Sequence, residues 1–247
     1  MLKLEFQDIT KKYHSNKVVL NNLSGIVNAG FLVVIGPNGS GKTTFLRLLA
    51  GVLHSSSGRV MFNGADITKE YSRYKQNLGY LPQEFGFYPE MTGRNFLYYM
   101  ARLKGLPSSL YPDRVASLAE CVGITAFLDR AIDGWSTGLR RRLGIAQTLL
   151  NDPDVVILDE PMVGLDPEEK LFFWQYFVSL ARDRIVIVSS NILADFIAFA
   201  DTVLLLIRGE NHFMGSPREL LDMVSDKVWT AELPAGSGHS VAEKWNV

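Results

Sequence analysis

Gly36-Pro37-Asn38-Gly39-Ser40-Gly41-Lys42-Thr43-Thr44 reads G-x-x-x-x-G-K-T, and it follows the apolar run Phe31 to Ile35 directly. The next residues, Phe45 to Ala50, have the composition of a helix. A strand that turns on glycines into a helix N-terminus aims several backbone N–H groups at one point, which suits phosphate. Gly36, Gly39 and Gly41 permit close approach because they lack Cβ. Asn38, Ser40 and Thr44 complete the loop. Lys42 would reach the β- and γ-phosphates of a nucleotide, and Thr43 would offer a hard oxygen to Mg²⁺.

A second constellation is Val155-Val156-Ile157-Leu158-Asp159-Glu160, an apolar strand ending in two carboxylates. In P-loop enzymes the Asp at this position holds Mg²⁺, usually through water. Glu160 beside it can take a proton from an attacking water where the site excludes solvent. Alone, the two acids read as a solvated strand end; beside a P-loop they read as a nucleotide-hydrolysis site.

The elements that must position these groups follow from periodicity. Leu2 to Phe6 alternates like a half-exposed strand and gives way to a polar segment up to Asn16; Val18 to Leu20 and Leu23 to Val27 read as further short strands parted by Asn21-Asn22. They predict an N-terminal antiparallel subdomain. Arg59 to Phe62 before Asn63-Gly64, and Leu78 to Leu81 before Pro82, read as two more strands. From about 84 to 152 the pattern becomes helical, over Phe96 to Lys104, Pro112 to Val122 and Leu139 to Leu150. Strands resume at Val155 to Leu158, Arg184 to Val188 and Thr202 to Ile207, with an aromatic helix over Pro167 to Ala181 whose rings read as a packing face. Unbroken apolar strands belong to a parallel sheet covered on both faces. The expected fold is α/β: a P-loop NTPase core with a mostly parallel sheet, an antiparallel subdomain and an inserted helical subdomain. Lys227 to Leu233 alternates like one more strand, within a tail from 223 to 247 that reads as a packed extension or the opening of a truncated accessory domain.

The 25 basic and 26 acidic residues nearly cancel, so charge gives no support for nucleic-acid binding. Cys121 is the single cysteine and the four histidines are dispersed, which points to a reducing compartment and away from a Cys-rich metal site. The N-terminus carries charge where a signal peptide needs an apolar core. The greasiest stretch, Ile197 to Ile207, is interrupted by Asp201 and is too short to span a bilayer. Any membrane role is expected to be borrowed from a partner.

With these motifs in order, the chain resembles the nucleotide-binding subunits of ABC transporters over about residues 2 to 222. Trp135-Ser136-Thr137-Gly138-Leu139 falls where that family carries its signature loop, normally L-S-G-G-Q or Y-S-G-G-M. Gln83 matches the Q-loop glutamine, a Mg²⁺ and water contact, and Gly164-Leu165-Asp166-Pro167 matches the D-loop. Tyr13 sits where an aromatic ring stacks on adenine. The resemblance implies ATP and Mg²⁺ as cofactors and two protomers, in a homodimer or heterodimer, meeting head to tail. Each ATP would then lie between one P-loop and the other protomer's Ser136 and Gly138. A separate transmembrane permease would be driven by closure and hydrolysis, with this subunit cytoplasmic and peripheral on the inner face of the membrane. The segments 158–161 and 164–167 and the Arg140-Arg141-Arg142-Leu143 run look most similar to bacterial drug, lantibiotic and bacteriocin exporters; that arginine run otherwise reads as a solvated face.

Two positions depart from the family pattern. Asn191 follows Val188-Ser189-Ser190 where a switch histidine is usual, and an amide donates without carrying charge. Thr137 stands where the signature has glycine, which adds bulk and would strain a backbone that needs positive φ. Reduced hydrolysis with ATP binding retained is the expectation; an ATP-dependent clamp with little turnover is the alternative.

Overall fold

The computed structural model describes residues 2–13, 17–192 and 198–223. One sheet joins β1 (Lys3–Lys12), β2 (Val18–Asn28), β4 (Ser57–Phe62) and β5 (Ala65–Asp66) in the order β2-β1-β4-β5, all antiparallel. The other holds β3 (Gly30–Ile35), β6 (Leu78–Leu81), β7 (Val155–Leu158), β8 (Ile185–Ser190), β9 (Thr202–Ile207) and β10 (Glu210–Gly215) in the order β10-β9-β3-β8-β7-β6. Its pairings are parallel except that of β10 with β9. An antiparallel sheet laid against a mostly parallel one, with helices, is the expected P-loop NTPase architecture.

Period-2 alternation splits the parallel strands between two cores. Phe31, Val33, Ile35, Val156, Leu158, Val186 and Val188 face one side, where they meet α3 (Gly93–Leu103), α4 (Tyr111–Cys121), α5 (Thr137–Thr148) and α6 (Pro167–Leu180). Leu32, Val34, Val155, Ile157, Ile185 and Ile187 face the other side, against α1 (Lys42–Leu49) and the antiparallel sheet. Both faces are dry, so neither set of alternating positions can be polar and the strands read as unbroken apolar runs. Phe6 of β1 meets Phe45 of α1 edge-on at 5.0 Å, which fixes the antiparallel sheet over the first helix.

The aromatic helix α6 starts at a capping box formed by Asp166 and Glu169, with Pro167 in its first turn. Phe173, Trp174 and Phe177 are buried, Trp174 lying 6.0 Å from Phe31, as the packing reading expects. Phe172 differs: it is half-exposed and stacks on Tyr176. Between β6 and β7 the described residues form helices and one isolated bridge, Thr92 to Ala131.

Two local expectations change. β1 continues to Lys12, and the two short strands around Asn21-Asn22 are one strand. The pairing of β1 with β2 slips between Ile9↔Leu23 and Lys11↔Leu20, and Asn22, at φ 50, donates its N–H to Thr10 Oγ1. The asparagines form a bulge, where αL is tolerated, rather than a break. α2 (Tyr71–Gln76), β10 and α7 (Pro217–Asp222) add to the elements read from periodicity, being short and only weakly patterned. The strand expected at 227–233 lies outside the described residues. Among those described, no helix is long and apolar enough to cross a membrane.

Candidate nucleotide site

β3, β8 and β7 are neighbours, with Val34↔Ser189, Ile35↔Ser190 and Leu158↔Val188 in register. Their carboxyl ends therefore share one edge, where open α/β sheets bind ligands. The P-loop leaves β3 there, Asp159-Glu160 leaves β7 and Asn191 leaves β8. A cavity of about 720 Å³ opens at this edge, and Asn38, Gly39, Gly41, Lys42, Thr43 and Thr44 line it together with Gln83, Glu160 and Asn191.

The three loop glycines serve different ends. A Cβ on Gly36 would lie 2.0 Å from the Leu206 carbonyl oxygen of β9, so this glycine exists for packing. Gly41, at φ 104, precedes α1 with Leu20 and Val19 of β2 against it. Gly39, at φ 78, faces open space on the cavity side. No side chain caps α1, so its first N–H groups are left for a ligand. Lys42 is 6% exposed and donates from Nζ to the carbonyls of Gly36 (2.8 Å) and Pro37 (3.3 Å). Burial lowers its pKa, and Glu160 and Asp159 pull it partly back up.

Asp159 is fully buried. Its Oδ1 accepts from Ser189 Oγ at 2.6 Å, and that same hydroxyl oxygen accepts the Glu160 N–H at 2.9 Å. Asp159 Oδ2 has no partner among the described residues. A buried carboxylate oxygen left bare is costly, and a cation relieves it. Among the described residues no cluster of three or more His, Cys, Asp or Glu is placed to hold a metal by itself. One carboxylate with the hydroxyl of Thr43 suits Mg²⁺, which keeps most positions for phosphate oxygens and water. The donor set thus fits a Mg²⁺ that arrives with a nucleotide. Glu160 sits at φ 48, in the left-handed region that a glutamate adopts at some cost, and its Oε2 accepts from Gln83 Nε2 at 3.2 Å.

Some expected residues stand elsewhere. Tyr13 is 41% exposed, lies under the Lys11 ammonium at 5.3 Å and is not part of the cavity wall. Lys17, Val18, Val19 and Arg208 form that side instead. Nothing local marks these four: β2 and the turn from β9 to β10 meet the P-loop only through folding. Ser136 and Asp166 act as helix caps, accepting the N–H groups of Leu139 and Glu169. A Cβ on Gly138 would lie 3.7 Å from the Gly164 carbonyl oxygen, so the signature and D-loop segments run side by side, away from this cavity.

Two expectations are corrected here. Thr137 opens α5 and is not among the residues with positive φ, so the anticipated backbone strain does not arise. What remains is bulk, with Thr137 Cγ2 3.2 Å from where a Cβ on Gly164 would stand. The Arg140-Arg141-Arg142 run is not a solvated face. Successive helix residues diverge by about 100°, and each arginine finds its own surroundings. Arg140 donates to the Asp133 carbonyl at 2.8 Å and lies over Phe87. Arg141 is 8% exposed and donates to the Gln83 carbonyl, while Arg142 pairs with Glu169 at 2.5 Å.

Residues 20–163 match the family model described as ABC transporter. The chain is 34% identical over 228 residues to an uncharacterized ABC transporter ATP-binding protein, YxlF, of Bacillus subtilis (strain 168), covering 92% of this chain and 75% of that protein. It is 32% identical to the ABC transporter ATP-binding protein NatA of the same organism, over 87% of this chain and 90% of that protein. It is 31% identical to the Nod factor export ATP-binding protein I of Burkholderia orbicola (strain AU 1054), over 89% and 72%. A solved structure of an ATP binding subunit of an ABC transporter superposes with a TM-score of 0.82 over 92% of this chain and 95% of that one; at 23% identity it speaks to the fold. A P-loop backed by β9, a buried strand-end aspartate and relatives above 30% identity across most of their length lead to one conclusion: the chain belongs to the ABC transporter family, among its ATP-binding proteins.

Proposed function

We propose that this chain is the Mg-ATP-binding subunit of an exporter, which closes on ATP against a second protomer and drives a separate membrane-spanning subunit. The observation that carries the reading is the buried, unpartnered Oδ2 of Asp159 at the strand ends shared with Lys42, Thr43 and Glu160. Hydrolysis of ATP is general in this family; the roles below are this chain's version of it. Names of relatives such as the Nod factor export protein favour export.

Lys42 exchanges its loop carbonyls for β- and γ-phosphate oxygens. Thr43 and Asp159, with Gln83, would hold Mg²⁺, which when bound neutralises phosphate charge. Glu160 accepts the proton of the attacking water, and Gln83, already bonded to Glu160, orients it. Ser136, Gly138 and Asp166 serve the neighbouring protomer's nucleotide; Tyr13, exposed outside the cavity wall, would stack on adenine only where the base extends past that wall. Residues 1–222 make up the nucleotide-binding domain, with a helical arm over about 84–152 and a tail from 223. The subunit sits at the cytoplasmic face of the membrane through its partner.

Asn191 lines the cavity beside Glu160 and brings a neutral amide where charge develops. Loss of a well-aimed donor at a transition-state anion costs roughly 10²–10³ in rate, which favours slow turnover and keeps an ATP-dependent clamp as the second reading. In a homodimer both sites combine Asn191 with a Thr137 signature; in a heterodimer with an unaltered relative the two changes fall in different sites. Asn191→His should raise ATP turnover of the purified protein by about 10-fold or more; an equal rate removes this position as the limit. Glu160→Gln should trap an ATP-dependent dimer in size-exclusion chromatography, and a monomer under saturating Mg-ATP would count against closure.

A further inference from the structure

Arg141 lies on α5 five residues beyond Ser136 and is almost wholly buried. Its Nη2 donates to the Gln83 backbone carbonyl at 3.2 Å, and its guanidinium lies 5.9 Å from the centre of the Phe85 ring. Its Nη1 has no partner among the described residues. Burial lowers its pKa and the charges of Asp159 and Glu160 raise it, so it shares the electrostatic surroundings of the strand-end carboxylates.

The contact is reinforced about one helical turn further on. A Cβ on Gly144 would lie 2.5 Å from Phe85 Cζ, so the helix presses on the Q-loop where it has no side chain. A buried guanidinium with one donor bare is costly where only packing is needed. It is better suited to holding a specific backbone group, here the carbonyl of the residue whose amide touches Glu160.

We propose that Arg141 is a positioning residue that fastens the signature helix to the Q-loop, so that a shift of Gln83 in one nucleotide site moves the Ser136 end presented to the neighbouring protomer. Arg141 itself touches no reacting atom; it acts through Gln83. The inference rests on the ATPase reading above.

The test compares wild type, Arg141→Met and Arg141→Lys, each with and without Gln83→Ala, using Mg-ATP turnover and amide hydrogen exchange of the nucleotide-free protein. Arg141→Met should lower kcat about 10-fold or more, the size of one charge-assisted hydrogen bond, with KM for ATP within about 2-fold. Arg141→Lys should recover most of the rate. In the Gln83→Ala background Arg141→Met should cost less than about 2-fold more. Amides 84–86 should exchange about 10-fold faster in Arg141→Met, a readout that needs no turnover. Unchanged kcat and unchanged exchange in Arg141→Met overturn the proposal, as does a full additional loss in the Gln83→Ala background. Wild type that neither binds nor hydrolyses Mg-ATP overturns the ATPase reading instead, and exchange still decides the link. If Arg141→Met does not fold, Arg141→Gln is read by the same exchange measurement.

Discussion

Gly36 and Gly39 belong to one motif, yet alanine should act differently at each, mainly on stability at Gly36 and mainly on ATP binding at Gly39. At Gly36 the new Cβ meets the Leu206 carbonyl oxygen at 2.0 Å and Ser40 Oγ at 2.7 Å. The neighbour met first is backbone, in a strand held to β3 through Ile35↔Leu205 and its neighbours. Relief requires β3 and β9 to part by about 1 Å at that end, at the upper end of overpacking costs, about 3 kcal/mol. For a chain of this size that corresponds to a Tm lower by about 6–12 °C. At Gly39 nothing lies within 4 Å, so alanine meets only the cost of φ 78, about 1–2 kcal/mol. Its methyl group, however, stands at the cavity, where it should weaken ATP binding about 10-fold or more by holding phosphate off the backbone donors. Urea denaturation without nucleotide, followed by titration with a fluorescent ATP analogue, separates the two effects. A Gly39→Ala variant destabilised as much as Gly36→Ala, or one binding ATP like wild type, would refute the division of roles.

Lys104 gives a pH signature: burial pushes its ammonium down to about 8, while it bonds Asn151 Oδ1 at 2.6 Å. Because the folded value lies below the unfolded 10.5, the unfolded chain binds more protons between them, and stability should rise as pH climbs from about 8 towards 10.5. Measured against Lys104→Met, the wild type should gain on the order of 1–2 kcal/mol across that window; a gap independent of pH would contradict it. Glu169 accepts the Asp166 N–H and pairs with Arg142, joining the D-loop helix to the signature helix. Glu169→Ala should cost about 2–3 kcal/mol by urea midpoint and Glu169→Gln about 1, since the amide keeps the cap and loses the charge; equal losses would mean that the ion pair contributes little.

Much of the fold is legible without coordinates. Phe31 to Ile35, Val155 to Leu158 and Arg184 to Val188 announce buried parallel strands, because a strand dry on both faces has no room for polar residues. The P-loop and the Asp159-Glu160 pair declare themselves because their spacing along the chain sets the chemistry. Even α7, which periodicity passes over, carries a readable start in Ser216-Pro217-Arg218-Glu219, a capping box.

Folding decides what depends on distant neighbours. Gly36 and Gly39 look alike until Leu206, some 170 residues later, is seen against the first and cavity space beside the second. The three arginines look like one solvated run until helix rotation sends Arg141 under the Q-loop and Arg142 to Glu169. Thr137 looks strained until α5 is found to begin on it with ordinary backbone. Lys17 and Arg208 carry no motif and reach the nucleotide cavity only because β2 and the β9–β10 turn flank the P-loop. Short-range pattern dictates local geometry through backbone sterics and hydrogen bonding. Which side chains share a cavity is settled by strand order and packing, and adjacent residues contain no record of either.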